Sequence, residues 1–269
     1  MKVFLLDLSI CNGCHCCQIA CKDEHVGNDW SPYAKPQPDT GQFWIKLNEK
    51  TRGSVPKVRV SYFPQMCMHC DDAPCMTVCA PAAVYRRDDG LVIIDPEKCT
   101  GCGLCPDACP HDAIYFSEDL NIAQKCTGCA HLLDDGWDVP RCVDACAAGA
   151  LRFGEEEDFR DLIAQAGEQP KGTRGRVAYL NIPKTFVAGT LYDPVQKEVI
   201  IGATCTLTDT EHDKTVAVET DGFGDFWFEG LPDVGTYRLS FEKAGKVKVI
   251  TNIEVTRDLN LGDIPMAMS

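Results

Sequence analysis

Two regimes of apolar patterning divide the chain. In the first, apolar runs are short and lie against cysteine-rich stretches. Phe4-Leu5-Leu6 and Val92-Ile93-Ile94 each end in an aspartate four residues before a cysteine, while Val84-Tyr85, Ile114-Tyr115-Phe116 and Leu151-Arg152-Phe153 follow cysteine groups. Runs this short, bounded by turn residues, predict strands. From about Val177 onward the pattern is that of a β-protein: Phe186–Tyr192, Ala203–Thr208, Thr215–Glu219, Asp225–Phe228, Thr236–Phe241, Val247–Val255 and Leu259–Ile264, with Gly, Asp and Pro between them at about ten-residue intervals. That predicts a seven-stranded antiparallel sandwich. Between the regimes, Phe159, Leu162 and Ile163 sit at helical spacing inside Glu155–Gly167, behind an acidic first turn and ahead of a glycine that can end a helix. Lys171–Arg176 reads as a linker. The expected organisation is a cysteine domain over 1–153, with 23–65 as an insertion or interface segment, a helix and linker over 154–183, and an all-β module over 184–269.

Of eighteen cysteines, sixteen fall into four groups. The first is Cys11, Cys14, Cys17 and Cys21; the second Cys67, Cys70, Cys75 and Cys79; the third Cys99, Cys102, Cys105 and Cys109, followed by Pro110; the fourth Cys126 and Cys129, then an insertion, then Cys142 and Cys146. Three thiolates at x2 spacing can wrap one iron–sulfur cubane, and a fourth set off by three residues characteristically ligates a second cluster. The four groups therefore predict four 4Fe-4S clusters, a wire for single electrons. Zinc sites also use C-x2-C pairs, but a C-x2-C-x2-C-x3-C-P run is not a zinc-ribbon spacing. Disulfides call for an oxidising compartment, and such close pairs are poor partners. Strand, ligand loop, short helix, strand is the half-unit of a bacterial ferredoxin, so the fold class is α+β: tandem ferredoxin-like modules, then a β-sandwich. With a small apolar core, such a domain draws much of its folding free energy from cluster ligation.

Charge narrows the partners. Forty acidic residues against 26 basic ones give a net charge of −14. Each oxidised cluster core is 2+ against four thiolates, so four clusters add about −8. Nucleic acid, which needs a basic face, is an unsuitable partner. No segment approaches the roughly 18–20 apolar residues of a membrane span, and the apolar run in MKVFLLDLSIC is too short for a signal h-region. The expectation is no direct membrane insertion and a cytoplasmic location, with export bound to a signal-bearing partner as the alternative.

The segments CMHCDDAPCMTVC, DGLVIIDPEKCTGCGLCPDACP and QKCTGCAHLLDDG carry a resemblance to the iron–sulfur (β) subunits of the molybdopterin oxidoreductase family that includes dimethyl sulfoxide reductase. The run G-x-F-x-F-x-x-L-P-x-x-G-x-Y-x-L from Gly224 to Leu239 resembles a Cna-B/carboxypeptidase-regulatory sandwich. Together with CAHLLDDG-W-x-x-P-R-C, the combination is most similar to family members acting on phenolic rings. The resemblance implies a heteromer. A large partner subunit would carry a molybdenum or tungsten bis-pterin cofactor and act on a small phenolic substrate. This chain, with no catalytic residue of its own, would exchange electrons with it and with an external redox carrier. The resemblance also implies that the first group pairs with the fourth and the second with the third. The clusters would then be Cys11/Cys14/Cys17/Cys146, Cys126/Cys129/Cys142/Cys21, Cys67/Cys70/Cys75/Cys109 and Cys99/Cys102/Cys105/Cys79. Spacing alone leaves sequential pairing open. One departure is that the phenol-related branch resembles three-cluster proteins whose third group has lost ligands, whereas here Cys99, Cys102, Cys105 and Cys109 are all present. A free-standing soluble polyferredoxin is the alternative function, and a binding module with structural clusters a third.

The remaining candidates read more plainly. Cys16, beside Cys17, is a bystander or a thiol near the cluster. His15, His69, His111 and His131 adjoin ligands without being needed as ligands, and their N–H groups could hydrogen-bond cluster sulfur. Lys22, Lys98 and Lys125 flank ligands and could act on clusters electrostatically. Trp30, Tyr33, Phe43, Trp44, Tyr62 and Phe63, within 23–65, suggest either packing over the clusters or a partner interface, and the interface is the reading favoured. In the sandwich, His212 lies in a polar turn, Cys205 alternates with Leu207 as a buried thiol, and no catalytic constellation stands out.

Overall fold

The computed structural model describes residues 1–167, 174–232 and 234–268. The chain divides into two compact units, one of Met1–Lys50 with Tyr62–Ile182, the other of Thr51–Ser61 with Pro183–Ser269.

In the first unit, β1 (Lys2–Asp7) lies between β8 (Leu151–Glu155), antiparallel to it, and β9 (Val177–Leu180), parallel to it. Phe4, Leu5 and Leu6 are buried because both faces of β1 are covered. Between these strands the chain forms α1 (Cys16–His25), α2 (Pro74–Thr77), the hairpin β4 (Val84–Arg86) and β5 (Val92–Ile94), α3 (Leu104–Ala108), the hairpin β6 (Ile114–Ser117) and β7 (Ile122–Lys125), α4 (Ala130–Asp134) and α5 (Arg141–Asp144). Strands thus form at all five short apolar runs. The core of this unit is threaded with ligand-group cysteines, among them Cys21, Cys67, Cys70, Cys75, Cys105, Cys126 and Cys142.

Three expectations change. The helix expected over Glu155–Gly167 shrinks to α6 (Arg160–Ile163). The ladder with β1 holds Glu155 in strand form, opposite Lys2 and ion-paired with Lys2 and the N-terminus. Phe159, Leu162 and Ile163 still pack together, onto Leu5, Ala178 and Leu180. Second, Val177–Leu180 is not linker but the third strand of this sheet, all four residues buried. Of the expected linker Lys171–Arg176, Lys171–Thr173 lie outside the described residues; Arg176 donates its N–H to Met68 and pairs with Asp71 and Glu156. Third, segment 23–65 carries a long hairpin, β2 (Ile45–Ser54) and β3 (Lys57–Met66). Of its aromatics, Trp44 is buried and Trp30, Tyr33, Phe43, Tyr62 and Phe63 are half-buried. Trp44 is 2% exposed and lies 4.5 Å from the His25 ring; Trp30 stacks on His131 at 4.3 Å and Phe63 on Tyr179 at 4.5 Å.

The second unit is the sandwich. One sheet is built on β10 (Thr185–Asp193), flanked by β14 (Asp225–Leu231) and β17 (Leu259–Pro265), with the two-residue β11 (Glu198–Val199) at its end. The other has the order β13 (Thr215–Glu219), β12 (Thr204–Asp209), β15 (Gly235–Lys243), β16 (Lys246–Val255). All seven expected strands form, and β11 is an eighth. The expectation of a wholly antiparallel sandwich fails at one pair, since β17 runs parallel to β10. The chain reaches β17 from the opposite sheet, so no tight turn imposes an antiparallel partner. Alternate residues meet in the core: Cys205 and Leu207, Phe226 and Phe228, Tyr237, Leu239 and Phe241. Phe223 stands exposed in the turn before β14. Thr51–Ser61, the hairpin tip, belongs here rather than with the cysteine domain: Arg52 pairs with Asp258 at 2.6 Å, Lys57 with Asp225, and Arg59 lies 3.7 Å from the Trp227 ring centroid.

Leu239→Ala tests whether the units are separable. Leu239 is fully buried between Leu207 and Ile250 on the neighbouring strands. Its truncation costs about 2–5 kcal/mol, seen as an earlier far-ultraviolet melting transition. Because all four cysteine groups lie in the other unit, iron content holds; iron lost in parallel with the sandwich would refute separability.

Candidate functional site

The ligand loops are built on one backbone device. The residue before the second cysteine of each group turns through the left-handed region: Gly13 at φ +74°, Gly101 at +70°, Gly128 at +64°, and in the second group His69 at +44°. This turn aims the same residue's N–H at the first cysteine's sulfur, from His69 to Cys67 and from Gly128 to Cys126, both at 3.4 Å, and from Gly13 to Cys11. Space demands glycine as well. A Cβ on Gly101 would meet the Asn121 carbonyl oxygen at 2.4 Å, and one on Gly13 the Tyr62 ring at 2.3 Å. His69, fully buried, holds this conformation with its Nδ1 3.0 Å from the Val92 nitrogen and 3.1 Å from the Val92 carbonyl oxygen.

Four gatherings of thiols result. Cys11, Cys14, Cys17 and Cys146 line one cavity with Leu6, Leu8 and Leu151. Cys79, Cys99, Cys102 and Cys105 line another with Val84 and Ile94. Cys21 has Cys126, Cys129 and Cys17 as charge neighbours, and Cys142 has Cys129, Cys21, Cys126 and Cys17, with Cys17 the last in each. Cys75 has Cys67, Cys109 and Cys70. The helices deal their cysteines to different gatherings: Cys17 and Cys21 lie on α1, Cys75 and Cys79 on or just past α2, Cys105 and Cys109 on or just past α3, and Cys142 and Cys146 on or just past α5.

These surroundings suit anionic clusters. Among the described residues, no three His, Cys, Asp or Glu side chains converge as a single-ion site. A cubane asks for something else, since each thiolate binds its own iron and the sulfurs stand around a space. Two further N–H groups point at sulfur, Val84 to Cys79 and Leu151 to Cys146, both at 3.4 Å. Such bonds favour the thiolate and the reduced, more negative cluster. Without iron the buried sulfurs would be protonated: burial pushes Cys126 up to about 11 and Cys129 up to about 12. Several polar atoms near the ligand loops lack a hydrogen-bond partner among the described residues, including His25 Nδ1, His69 Nε2 and Thr127 Oγ1.

The flanking candidates separate. Cys16 is exposed. His15 is exposed; His69 and His111 are buried. His131 has its Nε2 3.1 Å from a Glu24 carboxylate oxygen. One histidine whose ring nitrogen comes near a cysteine-group sulfur is one sequence reading passed over. His25 is 1% exposed, its Nε2 lies 3.9 Å from Cys129 Sγ, and burial followed by the His131 charge lowers its pKa to about 3, so it is neutral. The available signal was its position four residues after Cys21, on the same helical face. Lys22 donates to the Pro38 and Gly41 carbonyls, and Lys98 pairs with Asp95. Lys125 is 2% exposed and reaches Cys67 Sγ at 3.4 Å. In the second unit, His212 is exposed and bonded to Asp209, and burial pushes the Cys205 thiol up to about 12.

Comparison with known proteins agrees with this chemistry. A 4Fe-4S dicluster domain model matches residues 58–156 and a carboxypeptidase regulatory-like domain model residues 187–266. The pyrogallol hydroxytransferase small subunit of Pelobacter acidigallici is 35% identical over 97% of this chain and 98% of its own length. A tetrathionate reductase subunit of Salmonella typhimurium is 34% identical, over 68% of this chain and 73% of its own length. A polypeptide of the anaerobic dimethyl sulfoxide reductase of Escherichia coli is also 34% identical, over 61% and 80%. This protein belongs to the iron–sulfur subunits of the dimethyl sulfoxide reductase family. It is an electron-transfer subunit of that family, extended by the regulatory-like sandwich.

Gly101→Ala should abolish one centre. The added methyl meets a backbone oxygen that cannot swing aside, and the left-handed turn is strained for alanine as well. About four iron atoms per chain would be lost; full iron after purification would show that the loop relaxes around the methyl.

Proposed function

We propose that this chain conducts single electrons through four 4Fe-4S clusters to or from a large subunit whose molybdenum or tungsten bis-pterin cofactor acts on a small phenolic substrate. Cys11, Cys14, Cys17 and Cys146 would hold one cluster; Cys21, Cys126, Cys129 and Cys142 a second; Cys67, Cys70, Cys75 and Cys109 a third; and Cys79, Cys99, Cys102 and Cys105 a fourth. The observation that carries this pairing is the cavity lined by Cys11, Cys14, Cys17 and Cys146, which draws thiols from both ends of the cysteine unit. When bound, the clusters supply one-electron redox centres. The thiols would supply ligands, the left-handed turns aim N–H groups at them, and the apolar walls keep water from the buried sulfurs.

Exposure suggests where electrons enter and leave. Cys21, Cys126, Cys129 and Cys142 are all buried, as are Cys67, Cys70 and Cys75, whereas Cys14 and Cys102 are exposed. One of these gatherings is thus wholly buried and the other open only at Cys109, which is half-buried, whereas each of the remaining two keeps a ligand at the surface. A complete third group, Cys99 to Cys109, carries the wire out to a second accessible end. That suits exchange with an external carrier. The phenolic assignment rests on the near-full-length match to a pyrogallol hydroxytransferase small subunit, sandwich included. A cytoplasmic heterodimer is the simplest assembly.

Two measurements test the reading. Native protein isolated with its large subunit should carry about sixteen iron and sixteen acid-labile sulfide per chain; twelve would mean an empty group. Cys146→Ser and Cys11→Ser should erase the same electron paramagnetic resonance signal after reduction. Loss with Cys146→Ser of the signal that depends on Cys99 would replace this pairing with a sequential one.

A further inference from the structure

Three lysines flank ligand cysteines, and only one faces sulfur. Lys125, the last residue of β7, is 2% exposed. An ammonium has three donors, and all three are engaged: Cys67 Sγ at 3.4 Å, the Cys126 carbonyl at 2.9 Å, and the Val92 carbonyl. Among the described residues no carboxylate forms an ion pair with it, in contrast to Lys98 with Asp95. A buried ammonium without an anion is costly. The groups in its surroundings that become negative are the ligand sulfurs themselves. Cys67 and Cys126 belong to different gatherings, and the charge of Lys125 also acts on Cys75. One cation therefore stands against Cys67 of one gathering and against the backbone of Cys126 of another.

Burial makes reduction harder. A one-electron reduction takes a cluster with its four thiolates from a charge of about −2 to about −3, and a low-dielectric interior disfavours the extra negative charge. The two outer gatherings keep a ligand at the surface and meet less of this penalty. The inner two need a compensating charge if electrons are to pass through them instead of stopping at an outer centre.

We propose that Lys125 is a positive charge shared by the two inner clusters, raising the reduction potential of both and levelling the wire. It acts through the sulfurs and carries no electron. This rests on reading Cys67 and Cys126 as ligands of two different clusters.

The test is a redox titration, followed by electron paramagnetic resonance, of the intact complex. It compares the natural chain with Lys125→Met, Lys125→Arg and Lys98→Met. The natural chain is titrated first, with Cys67→Ser and Cys126→Ser marking the two inner signals. If those two signals are absent or identical, the ligand reading fails and Lys125 is not at issue. If they are present, Lys125→Met at full iron should shift both to lower potential and leave the outer two in place. Lys125→Arg, which keeps the charge, and Lys98→Met, whose ammonium is solvated, should shift neither. Unmoved inner potentials in iron-replete Lys125→Met overturn the proposal, and so does a shift in one signal only. Should Lys125→Met not retain iron, Lys125→Gln is read beside Lys125→Arg. Assembly with Arg alone supports a required charge; failure of all three reduces Lys125 to a packing role and overturns it.

Discussion

The pairing of β1 with β8 is the constraint on which the cysteine unit depends. Lys2 stands opposite Glu155 and Phe4 opposite Phe153, with ring centroids 4.7 Å apart. This ladder lays the loop after β1 beside the turn before β8, so Cys11, Cys14 and Cys17 share a cavity with Cys146. Closing so long a loop costs little more than closing a short one, since the entropy grows only with the logarithm of length. The buried strands offset that cost, and the second and third cysteine groups fold as a contiguous pair of hairpins inside the closure. The order of gatherings then follows from helix length. On a helix such as α1, Cys17 and Cys21 are about one turn apart, so each serves a different space.

Folding, protonation and cluster assembly are linked by the same burial. The sulfurs of Cys126, Cys129 and Cys142 are buried, and burial favours the neutral thiol in each. Iron must displace those protons, so assembly releases them and becomes more favourable as pH rises. Backbone N–H groups at Cys67, Cys79, Cys126 and Cys146 stand ready for the resulting negative charge. Filling the cysteine-lined cavities would complete the packing as well as the chemistry.

Much of this was legible in the sequence because ligand spacing and strand punctuation are local signals. The hairpin of β2 and β3 was not. Its strands carry Asn48, Glu49, Lys50, Arg52, Lys57 and Arg59, many of them exposed, so the period-two alternation that marks a half-buried strand is weak. The strand Val177–Leu180 was legible as apolar, but its partner lies at the other end of the unit. His25 was hidden for a different reason: its relevance comes from the fourth cysteine group, which only tertiary folding brings to α1. Sequence likewise ranked Lys22, Lys98 and Lys125 alike, because each sits next to a ligand. Burial separates them, and it depends on which carbonyls and sulfurs the rest of the chain supplies.

The sandwich illustrates how a boundary read from composition can mislead. Cysteine content falls away after Cys146, which suggests a single junction. Contacts instead assign Thr51–Ser61 to the second unit, so the chain passes between units at Lys50–Thr51, Ser61–Tyr62 and Ile182–Pro183. The hairpin tip contributes ion pairs there. Lys57 is 4% exposed and pairs with Asp225, while Arg52 makes two bonds to the Asp258 carboxylate. Cutting the chain at Pro183 would leave those cations without their anions, and Lys57 would have to find water that its folded surroundings exclude. A deletion meant to isolate the cysteine unit must therefore also shorten the hairpin between Lys50 and Tyr62; otherwise, any loss of iron would report the orphaned tip rather than a role for the sandwich in holding clusters.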